Sequence, residues 1–323
     1  MKIKIAALIG SLVLCCADRG AEAQSWPERP VKIVVPFAPG GPSDAMARVT
    51  AQHLGAALGQ SFIVENQAGA GGAIAGEVVV RAPADGYTLY WVTPGQVTIL
   101  PQIVKLSYDP MKDLRPISIV AENKFGLVVN PKSLPVKTIA EFIDRVRSQP
   151  GYYSYAYAGP GTLTHLAMEL FAHRLKLSMV GIAYKGIAPA FTDVVAGHVP
   201  TMFASLADAI QQDKAGAIRL LAVSADERSN ETPDVPTIAE TGIPGFNIVS
   251  WNGLMAPSRT PDAIVNRIAE QITNATKVSE FRGRLAKLGF DPVGDMPHEF
   301  AAVILAEVPM WSDTIKSAHL QQH

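Results

Sequence analysis

Between Phe37 and Asp44 the chain reads F-A-P-G-G-P-S-D, and the chemistry available there belongs to the backbone. Gly40 and Gly41 between Pro39 and Pro42 force a tight turn, and Ser43 or Asp44 can cap a helix that follows. A helix start after paired glycines presents free N–H groups and a positive dipole end, an anion site that needs no basic side chain. Two other chemistries compete for these residues. The glycine pair can simply turn a corner between strand and helix. Gly41-Pro42-Ser43-Asp44-Ala45 also stands one residue from the Gly-x-Ser-x-Gly nucleophile elbow of serine hydrolases. That elbow normally follows several strands, and no later Asp and His can be assigned as partners of Ser43. Gly69-Ala70-Gly71-Gly72 lacks dinucleotide spacing, because Ile74 stands where the third glycine belongs. The seven histidines show no metal-ligand spacing, so no metal and no cofactor is expected.

The elements that must carry this turn are legible on either side of it. Val31 to Phe37 is a β-branched run with the pattern of a buried parallel strand. Beyond the turn, Ala45, Met46, Val49, Leu54 and Leu58 recur at roughly helical spacing. Further strand-like runs occur at Phe62–Val64, Thr88–Val92, Gly126–Val129, Tyr153–Tyr157, Met179–Ala183, Val199–Phe203 and Ile218–Val223. Helices are expected from Thr138, whose spacing to Glu141 is that of a capping box, to about Ser148. Others are expected over Leu163 to Leu175, over Pro189 to Ala196 with Gly197 as its stop, and from Thr260-Pro261 to about Ala275. Strands alternating with helices imply an α/β fold with parallel sheets.

Composition bounds the class. The chain has 323 residues, 48% hydrophobic and 18% charged, with a formal net charge of -1 and no basic cluster, which argues against nucleic acid. Lys2 and Lys4 precede an apolar run from Ile5 to Cys16, and Ala21-Glu22-Ala23 is a small-x-small site. Residues 1–23 therefore read as a signal peptide cleaved after Ala23, with an exported product starting at Gln24. Cys15 and Cys16 follow large residues, so lipidation is not expected, and the exported chain would hold no cysteine. About 300 residues remain, enough for two ordinary domains.

With W-P-E-R-P at Trp26–Pro30 and P-F-A-P-G-G-P-S-D at Pro36–Asp44 come E-N-Q-A-G-A-G-G at Glu65–Gly72 and A-D-G-Y-T-L at Ala84–Leu89. L-S-Y-D-P at Leu106–Pro110, G-P-G-T-L-T-H-L at Gly159–Leu166 and Y-K-G at Tyr184–Gly186 follow. The series closes with P-D-V-P-T-I-A-E at Pro233–Glu240 and W-N-G-L-M-A-P at Trp251–Pro257. In this order, over essentially the whole exported chain, these segments resemble the solute-binding proteins of tripartite tricarboxylate transporters, also called Bug receptors. The resemblance implies a type II periplasmic binding fold, two α/β lobes with a hinge and an organic acid in the interlobe cleft. Lobe 1 is expected over 24–120 plus 225–323 and lobe 2 over 121–224. It implies a periplasmic monomer that delivers a small carboxylate to the membrane subunits of the transporter. A ligand sensor of the same fold, feeding a signalling partner, is the alternative.

Two segments match the family's ligand-binding turns: Phe37, Ala38, Gly40, Gly41, Ser43 and Asp44 in one lobe, and Gly159, Gly161, Thr162 and His165 in the other. Each is a glycine turn ahead of a helix, with the hydroxyls of Ser43 or of Thr162 and Thr164 added to the backbone donors. Thr93, Tyr184, Ala204 and Ser205 complete the implied site. Asp44 reads more readily as a cap than as a ligand contact, because an exposed carboxylate would repel a bound anion. His165 can be structural or touch ligand, and Trp251 reads as core or cleft wall. Two residues depart from the family pattern. Many members carry an acid after the Met-Phe of the strand near Val199, where this chain has Met202-Phe203-Ala204-Ser205, which disfavours an amino-acid ligand. Gln67 stands where an arginine is common.

Overall fold

The structure, a computed structural model, describes residues 26–159 and 161–317. The expected signal peptide, with Cys15, Cys16 and the cleavage site at Ala23, lies outside the described residues, as does Pro160.

The first strand, β1 (Val31–Val35), is short, β-branched and almost wholly buried. It lies parallel between β2 (Phe62–Asn66) and β3 (Thr88–Val92). Helices α1 (Pro42–Leu58) and α2 (Ala73–Val80) cross between them. β5 (Ser154–Tyr157) repeats the arrangement, lying parallel to β6 (Val180–Ala183) and to β7 (Thr201–Ser205). Here α4 (Leu163–Leu175) and α5 (Ile187–Ala196) make the crossovers, and α6 (Leu206–Lys214) follows β7. α3 (Ile139–Ser148) precedes this unit, and Thr138 caps it by accepting from the Glu141 N–H at 3.2 Å.

The expectation of parallel sheets holds within each unit and fails between them. The 16-residue strand β4 (Leu114–Val129) runs through both. From Leu114 to Lys124 it pairs antiparallel with β9 (Val249–Pro257), which also pairs antiparallel with β3. From Phe125 to Val129 it pairs antiparallel with β7 and β8 (Arg219–Val223). The strand order is β2-β1-β3-β9-β4-β7-β5-β6, with β8 and the short β10 (Asp291–Pro292) also on β4. β4 thus leaves one sheet and enters the other between Lys124 and Phe125, which makes two lobes sharing one strand. The Ile248 N–H donates to the Ser224 carbonyl at the same level, and Ile238, Ile243, Phe246 and Ile248 pack into the second lobe's core.

Two helices, α7 (Asp262–Ala275) and α8 (Ser279–Ala286), close the first lobe, whose core joins Ile33, Met46, Trp91, Leu254 and Ile268. The last helix, α9 (Pro297–Ser317), serves both lobes. Its Phe300 and Ile304 pack with Trp251 on the first, while Trp311 and Ile315 enter the core of the second. Among the described residues no helix is long and apolar enough to cross a membrane.

Candidate ligand-binding cleft

The carboxyl ends of β1, β2 and β3 in one lobe, and of β5 and β6 in the other, release the chain into glycine-bearing turns, while β7 passes straight into a helix at Leu206. In open α/β sheets this edge is where ligands sit. At the end of β1 the turn is held by a clamp rather than by a capping hydroxyl. Gly41 is the N-cap and makes no side-chain bond, and Pro42 occupies the first helical position, where its missing N–H costs nothing. The cap expected from Ser43 or Asp44 is therefore not formed. Instead the buried Asp44 accepts from the Gly40 N–H at 2.9 Å, from Arg48 Nε at 3.0 Å and from Asn66 Nδ2 at 2.9 Å. Burial pushes its carboxyl up, but the bonds from Arg48, Gly40 and Asn66 prevail and hold it down at about 2. Asn66 Nδ2 also donates to the Phe37 carbonyl at 3.0 Å. Asp44 thus fixes the loop from Phe37 to Gly40 from behind. Gly40 has a φ of +91°, a conformation that suits glycine; Gly41 does not.

The first intrahelical bond of α1 runs from the Ala45 N–H to the Gly41 carbonyl, so the Ser43 and Asp44 N–H groups precede the helical ladder. Ser43 Oγ is 2.8 Å from Asn252 Oδ1, which also accepts from Trp91 Nε1 at 3.1 Å. An amide oxygen has no basic site that could activate a nucleophile, so Ser43 lacks the base that a hydrolase needs. Thr93, just past β3, donates through both its N–H and its hydroxyl to Gln96 Oε1, and Gln96 Nε2 donates to the Gly71 carbonyl. The Gly69–Gly72 turn is thereby tied to the end of β3.

In the second lobe Thr162 is the N-cap of α4, and its hydroxyl donates to the Gly159 carbonyl at 2.7 Å. The Thr164 hydroxyl accepts from the Ala158 N–H and lies 3.3 Å from that of Thr162. His165 Nδ1 accepts from the Gly161 N–H at 3.2 Å, and its ring stacks on Tyr157 at 4.1 Å. Burial drives the imidazole pKa down, offset in part by Glu169, so the ring is neutral with its proton on Nε2. His165 shapes the turn from beneath. Gly159 and Gly161 have φ values of +127° and +73°. Tyr184 joins this cluster through its N–H to the Tyr157 carbonyl, while its hydroxyl donates to Asp193 at 2.6 Å.

Between the two turns runs the helical segment 95–103. A Cβ on Gly71 would stand 3.2 Å from Leu100, and one on Gly161 3.7 Å from Ile103. Ser205 and Asn123 face each other at 3.4 Å where β4 changes sheets. Ala204 is buried opposite Gly126. Phe37 is half-buried against the first lobe's core and Ala38 is exposed. Trp251 is core, its indole N–H donating to Glu307 at 2.8 Å.

Sequence reasoning missed Arg48, Asn66, Gln96, Asn123 and Asn252. W-N-G-L-M-A-P flags the segment of Asn252, but nothing local signals partners 161 and 209 positions away.

The profile of the tripartite tricarboxylate transporter family receptor matches residues 46–320. Protein BugT of Bordetella pertussis is 33% identical over 299 residues, 91% of this chain and 90% of that protein. The adipate-bound protein of Rhodopseudomonas palustris has a TM-score of 0.73 at 34% identity, covering 91% of this chain and 98% of its own. MatC of the same organism, with bound malate, has a TM-score of 0.69 at 34% identity, covering 90% of this chain and 100% of its own.

Proposed function

The chain belongs to the tripartite tricarboxylate transporter receptor family, and from that premise we propose an extracytoplasmic receptor that closes on a small non-amino dicarboxylate, aliphatic or aromatic. It delivers that acid to the membrane subunits of a tripartite tricarboxylate transporter. The family is one of receptors rather than enzymes. One observation carries the ligand class: a glycine turn and helix start in each lobe, Phe37–Asp44 and Gly159–Thr162, at the carboxyl edges of the two sheets. The hydroxyl protons of Ser43, Thr162 and Tyr184 are engaged within the protein, so backbone N–H groups carry the anion. Each charge-assisted bond contributes roughly 1.5–3 kcal/mol net, and two or three per carboxylate support micromolar binding. The adipate and malate held by the two relatives fit the same chemistry.

The lobes move about Lys124–Phe125 and Ile248–Val249, where the chain passes between sheets. Ala204 supplies no carboxylate for an ammonium group, so dicarboxylates outrank aspartate and glutamate. A thermal-shift screen of organic acids tests this. Ligand at about a hundred times its dissociation constant stabilises the fold by roughly 2.7 kcal/mol, a rise of several degrees in Tm. A largest shift from aspartate or glutamate, with none from dicarboxylates, would overturn the ligand class.

A further inference from the structure

We propose that Glu307 is a proton-operated latch on the lobes: with its proton it holds α9 to the segment 95–103, and without it that junction loosens and ligand is held more weakly. Its effect on ligand rests on the receptor reading; its effect on the junction does not.

Two segments that serve both lobes meet at this carboxyl. α9 packs on the first lobe through Phe300 and Ile304 and on the second through Trp311 and Ile315, and Pro309 interrupts its hydrogen-bond ladder between them. The segment 95–103 is divided in the same way, with Val97 in the core of the first lobe and Ile99 in that of the second. Its Leu100 and Ile103 stand at the Gly71 and Gly161 turns. Two side-chain contacts tie the segments together beside the proline. Thr98 Oγ1 lies 2.8 Å from Glu307 Oε2, and Gln102 Nε2 donates to the Val308 carbonyl at 3.0 Å. Rotation of one lobe against the other therefore works on this junction.

Glu307 is 7% exposed, and burial with the bonds from Trp251, Thr98 and Trp311 sets its acidity. Neither β9 nor the segment 95–103 has a titratable side chain, and Glu299 and Asp313 lie toward the ends of α9. On the other elements packed against α9, Arg115 of β4 pairs with Asp262 of α7, Lys124 with Glu122 and Asp291, and Glu169 of α4 accepts from the Tyr155 hydroxyl. The Thr98 hydroxyl has one proton and two acceptors in reach, Glu307 Oε2 and the Pro94 carbonyl at 3.1 Å. Both indoles only donate, so a protonated Glu307 gives its proton to Thr98, which turns its own to Pro94. A charged Glu307 draws the Thr98 proton to itself instead. The Pro94 carbonyl then loses this partner, and a charge with no cation beside it is buried between the lobes. Water relieves that charge only if α9 and the segment part. Pro94 opens the turn whose Gln96 ties Thr93 to the Gly71 carbonyl, so the loosening reaches the ligand turns. Burial pushes the carboxyl up to about 7, which sets the latch to work near neutral pH.

Hydrogen exchange of the ligand-free protein at pH 6 and pH 8, corrected for intrinsic rates, tests the latch. Protection of the segment 95–103 should fall about threefold or more in the wild type and stay level in Glu307→Gln. Equal protection at the two pH values in the wild type overturns the latch without any variant, and an equal fall in Glu307→Gln overturns it too. Calorimetry with malate and with adipate, in buffers of different ionisation enthalpy at pH 7.5, tests the effect on ligand. Carboxylic acids are ionised there, so a proton taken up on binding belongs to the protein. The wild type should take up part of a proton per ligand bound and bind about threefold more weakly at pH 8 than at pH 6.5. Proton release, or the same uptake in Glu307→Gln, overturns the effect on ligand. Binding of neither acid would overturn the receptor reading, while the exchange measurement still decides the latch.

Discussion

Asp44 holds the turn at the end of β1 in place rather than capping α1. Its carboxylate is satisfied by Gly40, Arg48 and Asn66. Its depressed pKa sets the sign of the pH response. Stability from Asp44 is fully present above the ordinary value of 3.8 and is lost as pH falls toward about 2. Asp44→Asn should cost about 2 kcal/mol at neutral pH and flatten the stability profile between those limits, as urea unfolding across that range would register. A profile as steep as that of the wild type would show that other carboxylates dominate there. On the opposite lobe, the Thr162 hydroxyl braces the Gly159 carbonyl of the turn. Thr162→Ala should weaken ligand binding by roughly 1.5 kcal/mol, about tenfold, and Thr162→Ser should restore it. Affinities unchanged in calorimetry would return that turn to a purely structural role.

Among the elements, α9 does the most to join the halves of the molecule. Its Glu307 is buried between them, accepting from Trp251 Nε1, from Thr98 Oγ1 at 2.8 Å and from Trp311 Nε1 at 3.4 Å. Burial pushes the carboxyl up to about 7 against these bonds. Both indoles can only donate, so a protonated Glu307 must donate to Thr98 Oγ1, which then turns its own proton to the Pro94 carbonyl at 3.1 Å. The folded state therefore holds a proton that the unfolded chain releases near 4.5. The stability this gives is complete below that value and is lost as pH rises through about 7. Glu307→Gln keeps an acceptor for the indoles and removes the titration. Its stability should vary less than that of the wild type between pH 5 and 7.5, by about 2 kcal/mol on a thermal-denaturation profile. Matching slopes for the two proteins would remove Glu307 from the account.

At the scale of the whole molecule, the two lobes share β4, exchange chain again between Ser224 and Val249, and are strapped by α9. Crossings this few, with Asn123 and Ser205 only 3.4 Å apart at the bend, suit rotation of one lobe against the other. Saturating dicarboxylate should reduce the radius of gyration in small-angle scattering, because a ligand bridging both turns favours the closed population. An unchanged radius together with calorimetric binding would mean that the ligand enters a cleft already closed.

Much of this protein is local, and the sequence by itself determines it. The helix over Leu163–Leu175 is found where its apolar spacing places it, and Thr138 caps the helix that its spacing to Glu141 announces. β1 is buried, as its β-branched run requires, and ends in the glycine turn. Those signals lie within a few residues of what they specify, as do the quoted segments that carry the family resemblance. The first half of β4 and all of β9 escaped notice because their pairing is long-range and antiparallel. Residues such as Pro116, Asn123 and Asn252 interrupt any apolar run there. Distance also hid the inner side of the site. Asp44 finds Asn66 22 positions away, and Ser43 finds Asn252 209 positions away, so which atoms remain free for a ligand is decided only when the lobe closes around them. A hydroxyl in a sequence is both donor and acceptor; the tertiary structure chooses which of the two it shows to the cleft.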